Sequence, residues 1–355
     1  MKNLIFLLPL FLTLSLSAQK NAKKIHEKAL VIDAHNDVLL NQMQSGVDLA
    51  QRLTTGYFDL VRAKEGGLDA QIFSIWCGDD YGNGRAFALA NRQIDSLYAL
   101  INRNPDKIVL VRTSADLKKV VAQNKMAALI GVEGGHMIED RLDYVDSLAK
   151  RGMSYLTLTW NQSTSWSTSA YDETFKRDSL PHLGLNTLGK QIIKRLNKLG
   201  VMVDVSHVGE RTFYDVLATT SKPVIASHSS VYAIAAHQRN LKDEQLKAIA
   251  KNGGVVFVNF YSGFLDPTYK ESAQVRPPLS LLIKHIDYMV KLIGADHVGI
   301  GADFEGAESY PLGLDGVQDY PKITAALISL NYTKKDINKI LGQNLLRVLK
   351  ANAGK

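Results

Sequence analysis

One cysteine, Cys77, stands in 355 residues, so no disulfide can form within the chain. A lone thiol of this kind is expected to be buried as a small apolar side chain. Long apolar runs are equally scarce. Leu4 to Leu14 is the one that stands out, and it is shorter than the roughly 20 residues of a membrane-spanning helix. No later segment is long and apolar enough to cross a bilayer. Basic residues are dispersed: 42 Lys and Arg against 35 Asp and Glu leave a formal charge of +7 with no basic run, which excludes a nucleic-acid footprint and favours solubility. No Gly-rich fingerprint follows the first apolar strand, and that counts against a dinucleotide-binding fold. Internal repeats and low-complexity segments are also absent.

The N-terminus has the form of a secretory leader. Met1-Lys2-Asn3 is a short positive region, Leu4 to Leu14 an apolar one, and Ser15-Leu16-Ser17-Ala18 supplies the small residues of a cleavage site. Cleavage is placed after Ala18, with Ser17 the alternative, and no cysteine follows to carry a lipid. The expectation is an extracytoplasmic protein, periplasmic or secreted, with no membrane anchor after processing. Residues 19–355 are expected to form a single domain.

In the remainder, short β-branched runs alternate with amphipathic stretches, the signature of βα units. Candidate strands cover residues 29–34, 70–76, 127–132, 155–160, 201–206, 224–227, 255–260 and 297–302. Helical patterns cover 85–101, 142–151, 188–199, 210–218, 243–251, 281–292 and 333–349. Gly200, Gly253, Gly254 and Gly294 fall where helices should stop. Eight strands, most followed by a helix, predict an α/β fold of the (β/α)8 TIM-like barrel type. A doubly wound open sheet is the runner-up.

A barrel of this kind carries its active site at the C-terminal ends of the strands. Here the first candidate strand runs into His35 and Asp37, the third into Glu133, the fifth into His207, the sixth into His228 and the eighth into Asp303. A single buried histidine is more often a hydrogen-bonded core residue than a ligand. Several ligand-type residues at the same end of separate strands are not explained that way, because each interrupts an apolar run where an unpartnered polar group is expensive. The three imidazoles with the carboxylates of Asp37 and Glu133 exceed the needs of one tetrahedral ion. Two ions sharing Glu133 use them all, and zinc suits such a mixed nitrogen and oxygen set. Two ions about 3.5–4 Å apart can hold a hydroxide between them and polarise a carbonyl.

The motifs then resemble one family, the membrane (renal-type) dipeptidases among the metal-dependent amidohydrolase-like barrels. The resemblance rests on Ile32-Asp33-Ala34-His35-Asn36-Asp37, Gly131-Val132-Glu133-Gly134-Gly135-His136, and Tyr155-Leu156-Thr157-Leu158-Thr159. It continues through Asp204-Val205-Ser206-His207, Ala226-Ser227-His228-Ser229-Ser230, Arg239-Asn240, Gly301-Ala302-Asp303-Phe304 and Asn344-Leu345-Leu346-Arg347-Val348. It implies a di-zinc exopeptidase acting on small dipeptides, often with a D-residue at the C-terminal position. His35, Asp37 and Glu133 would bind one zinc, and Glu133, His207 and His228 the other. Arg239 would clamp the substrate carboxylate with its planar fork, and Asp303 would carry the proton from the attacking water to the leaving amine. A homodimer is implied as well.

One departure stands out. The family usually has a histidine directly after Tyr-Leu-Thr-Leu-Thr, and this chain has Trp160, followed by a segment without the usual Asn-Thr-Pro pattern. An indole donates one hydrogen bond and never becomes cationic. Loss of one oxyanion donor costs about 10²–10³ in rate, so Trp160 points to altered substrate choice or reduced activity. Two alternatives follow: a related amidohydrolase acting on another carboxylate-bearing amide (an N-acyl amino acid or a lactam), and a non-catalytic exported binding protein.

Overall fold

Nine parallel strands among the described residues form one sheet that closes on itself. They are β1 (Ile32–Asn36), β2 (Ala70–Trp76), β3 (Ile108–Leu110), β4 (Met126–Glu133), β5 (Met153–Thr157), β6 (Met202–Asp204), β7 (Ile225–Ala226), β8 (Val255–Val258) and β9 (Val298–Ile300). The order is β2-β1-β9-β8-β7-β6-β5-β4-β3, and pairing of β2 with β4 from Ala70↔Ala127 to Trp76↔Glu133 shuts the barrel. The computed structural model describes residues 21–353 other than 83 and 274. The leader-like segment 1–18 lies outside them.

The (β/α)8 expectation holds, with one strand more than expected. β3 pairs with the first residues of β4, Ile108↔Met126 to Leu110↔Ala128, and β5 takes over the same edge from Ile130↔Met153. Eight strands therefore close the barrel, and β3 is a short flap on its base. Three residues are too few to show a period of two, which is why the sequence pattern misses it. Strand ends also differ from expectation. β5 stops at Thr157 rather than residue 160, so Trp160 belongs to the following loop.

Inward positions follow the period of two. Ile32, Ala34, Ala70, Ile72, Ala127, Leu129, Tyr155, Met202, Ile225, Val255 and Phe257 share one apolar cluster with Leu345 and Val348 of the last helix. A β-bulge sits in β1, where Asp33 to Asn36 spans the same length as Gln71 to Phe73. The extra residue turns His35 inward although Ala34 below it is also inward. Buried Asp33 ties the strand ends together: it accepts from Ala302 N (3.0 Å), His35 N (3.2 Å) and Tyr320 Oη (2.5 Å).

Outer helices are built as their patterns predict. Thr187–Leu199 starts at Asn186, whose side chain accepts from Gly189 N, buries Ile192, Ile193 and Leu196 on one face, and ends at Gly200 with φ 75°. The expected helix 333–349 is instead Lys334–Asn338 and Asn344–Asn352 joined by a π-turn, Lys339–Gln343. After the wider turn, Asn344 Nδ2 donates to Ala295 O (2.6 Å) and Val298 O (2.8 Å), fixing the helix under β9. The shorter helices Val38–Ser45, Leu60–Glu65, Ser114–Val121, Ala170–Phe175 and Tyr320–Ser329 lie outside the expected set. No helix among the described residues is long and apolar enough to cross a membrane.

Candidate metal centre

Above the apolar layers the inward positions turn polar, and six of the expected side chains meet there. Glu133 ends β4 on the same face as Ala127 and Leu129, and its two oxygens are divided between two groups of ligands. Oε2 lies 3.2 Å from His35 Nε2, while Oε1 lies 2.9 Å from His207 Nε2 and 3.4 Å from His228 Nε2. His35 Nε2 is also 3.5 Å from Asp37 Oδ2 and 3.6 Å from Asp303 Oδ1. Asp37 occupies the N-cap position of Val38–Ser45, yet its carboxylate makes no capping bond and turns to the site.

The imidazoles are oriented from behind. Ser227 Oγ donates to Asp204 Oδ2 (2.6 Å), so its lone pair is left to accept from His228 Nδ1 (2.8 Å). Asp204 is itself held by Ser206 N, Ser227 N and Thr157 Oγ1. His35 Nδ1 donates to Tyr155 Oη at 2.7 Å, and the phenol in turn donates to Ala34 O at 3.3 Å. Gly131 makes this possible, because a Cβ there would stand 2.0 Å from Tyr155 Cζ. With the proton of each ring fixed on Nδ1, Nε2 of His35 and His228 is a bare lone pair facing Glu133.

These residues fit the binding of divalent metal. His35 Nε2 and Asp37 Oδ1 are buried without a hydrogen-bond partner. His207 Nε2 and His228 Nε2 face each other at 2.9 Å, where two neutral rings can share at most one proton. Ligand atoms of His35, Glu133 and His228 cluster within 4.8 Å of one another, and so do those of His35, Asp37 and Asp303. A cation that accepts these lone pairs and balances the carboxylates resolves each of those conflicts.

Charge states follow from burial and neighbours. Burial pushes His207 down to about 3, reinforced by the Arg239 charge, and holds His228 well below its ordinary value. Burial, together with the Asp37 and Glu133 carboxylates, pushes Asp303 up to about 8 against the pull of His35. Burial alone would raise Glu133, but the surrounding imidazoles outweigh it and hold the carboxylate ionised.

A cavity of about 580 Å³ opens over this cluster, lined by Asp37, Glu133, His207 and Asp303 below and by Trp76, Trp160, Tyr171, Arg239 and Tyr261 above. Arg239 is buried. Its Nη2 donates to His228 O at 3.3 Å, and its Nε has no partner. Asn240 holds the loop that carries it, donating to Ala235 O and Phe264 O (both 2.8 Å) and accepting from Ser230 N. Trp160 stands on the wall, edge to face with Trp76 (5.0 Å between centroids) and 6.4 Å from the His207 ring.

All the site residues expected from sequence therefore line one pocket or its floor. Others were not foreseen. Tyr155, Asp204 and Asn259, whose Nδ2 donates to Asp303 Oδ2 at 2.8 Å, are polar residues at inward strand or strand-end positions. Period-two reading carried one step further would have found them. Tyr171, His237, Tyr261 and Glu305 lie on loops or a short helix, and no periodic signal marks them. Elsewhere, His136 Nε2 is 3.0 Å from Cys77 O, and Cys77 is buried as expected.

Comparison with known proteins agrees with this architecture. The probable dipeptidase PvdM from Pseudomonas aeruginosa is similar to this chain with a TM-score of 0.82 at 22% identity, covering 95% of this chain and 98% of that one. A metallo peptidase from Rhodobacter sphaeroides, liganded with a phosphinate mimic of the dipeptide L-Ala-D-Ala, gives 0.82 at 26% identity over 92% and 99%. The dipeptidase AC, of family M19, gives 0.83 at 26% identity over 92% and 100%. The model of the membrane dipeptidase family, peptidase family M19, matches residues 19–354. The chain belongs to that family and is a metallo-dipeptidase.

Proposed function

We propose that this chain is an exported dipeptidase that holds two zinc ions, one on His35 and Asp37, one on His207 and His228, with Glu133 shared. The observation that carries the reading is the division of the Glu133 oxygens between the two ligand groups. The mixed imidazole and carboxylate donors favour zinc, and the leader pattern of Met1 to Ala18 supports export. When bound, such ions lower the pKa of water and polarise the scissile carbonyl.

The chain's own residues supply the rest. Arg239, buried with an unpartnered Nε, receives the substrate carboxylate as a charge-assisted hydrogen bond. Asp303, held by Asn259 at 2.8 Å and kept ionised when bound cations offset the push of the Asp37 and Glu133 carboxylates, accepts the proton of the attacking water and delivers it to the leaving amine. Trp76 and Trp160 form an aromatic wall against which the substrate packs. The test is metal analysis of the purified chain together with hydrolysis of a panel of L,L- and L,D-dipeptides. Close to two zinc per chain and release of free amino acids are expected. A protein without zinc and inert to every dipeptide would sink the reading.

A further inference from the structure

The loop after β9 brings a second charged residue to the pocket wall. Among the described residues seven non-glycine positions have a left-handed backbone, and three of them, His207, Asp303 and Glu305, line the cavity. Such a conformation costs a side-chain-bearing residue roughly 1–2 kcal/mol, and the first two of these belong to the site described above. The next residue, Gly306, lies so close that a Cβ would stand 2.3 Å from both Asp37 Oδ2 and Asp303 Oδ1. Glu305 lines the same cavity as Asp37 and Asp303, on the turn that passes against them.

Its carboxylate is held in place but not neutralised. Oε1 accepts from Tyr57 N at 2.6 Å and Oε2 from Asn41 Nδ2 at 3.2 Å, two neutral donors. Neither brings a countercharge, and the side chain stays partly exposed to the cavity. The same cavity contains Arg239, buried with its Nε unpartnered. A ligand that satisfies both carries an anionic and a cationic group.

On the dipeptidase reading above, we propose that Glu305 binds an ammonium group of the substrate's amino-terminal residue and so selects for a charged over a neutral end. Two ammonium sources share this chemistry: the α-amino group and a basic side chain. The experiment uses the full metal-loaded protein and three substrates, Lys-Ala, norleucyl-Ala and hexanoyl-Ala. Norleucine removes the side-chain charge, and hexanoyl also removes the α-amino group. Glu305→Gln keeps an acceptor for Tyr57 N–H and removes only the charge.

The expected result is a fall of about tenfold or more in one selectivity ratio of kcat/KM, carried by KM. A fall in norleucyl-Ala over hexanoyl-Ala assigns the α-ammonium. A fall in Lys-Ala over norleucyl-Ala assigns the side chain. Either supports Glu305 as the ammonium site. Equal loss on all three substrates, or ratios that do not move, overturns it. Asn41→Ala, which loosens the same carboxylate without touching charge, provides a second variant if Glu305→Gln does not fold: it should lower the same ratio, and an unchanged ratio counts against the proposal. If the wild-type protein holds its ions yet cleaves neither dipeptide, the dipeptidase reading itself falls, and this proposal with it.

Discussion

The lower and upper halves of the barrel interior are built from the same strands, two residues apart, yet they do opposite things. β4 places Ala127 and Leu129 below and Glu133 above; β2 places Ala70 and Ile72 below and Ser74 and Trp76 above. On β8 and just beyond it, Phe257 gives way to Asn259, and after β7 Ile225 gives way to Ser227. Below, burial of apolar area is favourable at about 25 cal/mol per Å² and asks nothing of geometry beyond filling space. Above, every buried polar atom needs a partner, and several find none within the chain. The difference teaches that stability and chemistry are separated by height along the strand. Substitutions at the two levels should therefore separate cleanly into effects on folding and effects on turnover.

The largest expected effect is at the top. Asp303→Asn should lower kcat by about 10²–10⁴, the usual contribution of a positioned acid–base group, while zinc content and the denaturation midpoint stay at wild-type values. Unchanged turnover would remove Asp303 from the mechanism. The converse change is at the bottom. Leu129→Ala should cost about 2–5 kcal/mol of stability, read from urea denaturation, with kcat per folded molecule retained. A large loss of kcat in the folded Leu129→Ala protein would show that the two levels are not separable.

Much of this division was legible in the sequence because a barrel strand buried on both faces is an apolar run, and a polar residue at its end is conspicuous. His35, Glu133, His207, His228 and Asp303 stand out for that reason. The bulge in β1 was not legible, since simple alternation from Ala34 would have put His35 on the outer face and only the pairing with β2 reveals the extra residue. β3 was too short to register. Glu305, His237 and Tyr261 could not be found from period at all, because their place in the pocket depends on how loops fold back over the rim. Trp160 was identified as a departure, but its partner Trp76, from the end of β2 on the far side of β4, was not.

Tyr155 lies at the boundary and sharpens the comparison. It belongs to the lower apolar cluster by its ring and to the upper site by its hydroxyl, which receives His35 Nδ1 at 2.7 Å. Tyr155→Phe keeps the ring and removes only the acceptor, leaving a buried imidazole N–H without a partner. Zinc affinity should fall by about 10–100-fold, the range found when the outer partner of a ligating histidine is removed. Metal titration of the apo-protein checks this. Equal zinc affinity in the two proteins would show that packing alone orients His35.

His285 supplies the control for the imidazoles of the upper site, since it is equally buried but has a hydrogen-bond partner at each nitrogen. Its Nδ1 accepts from Val231 N at 3.1 Å, and its Nε2 donates to Leu265 O at 3.0 Å, so the neutral ring is complete and no lone pair is left for a cation. Burial pushes its pKa down to about 4 from an ordinary 6.5. Between those values the unfolded chain binds a proton that the folded chain refuses. The stabilising contribution is therefore fully present above about pH 6.5 and is lost as pH falls toward 4. For a shift of this size the loss between pH 7 and pH 5 comes to about 2 kcal/mol. His285→Gln, which can still accept from Val231 and donate to Leu265, should flatten the fall in urea midpoint over that range by the corresponding amount. The zinc content of the variant at pH 7 should match wild type. An unaltered pH slope would mean that His285 gains its proton at the same pH folded and unfolded, and that buried imidazoles here are distinguished by something other than their hydrogen-bond partners.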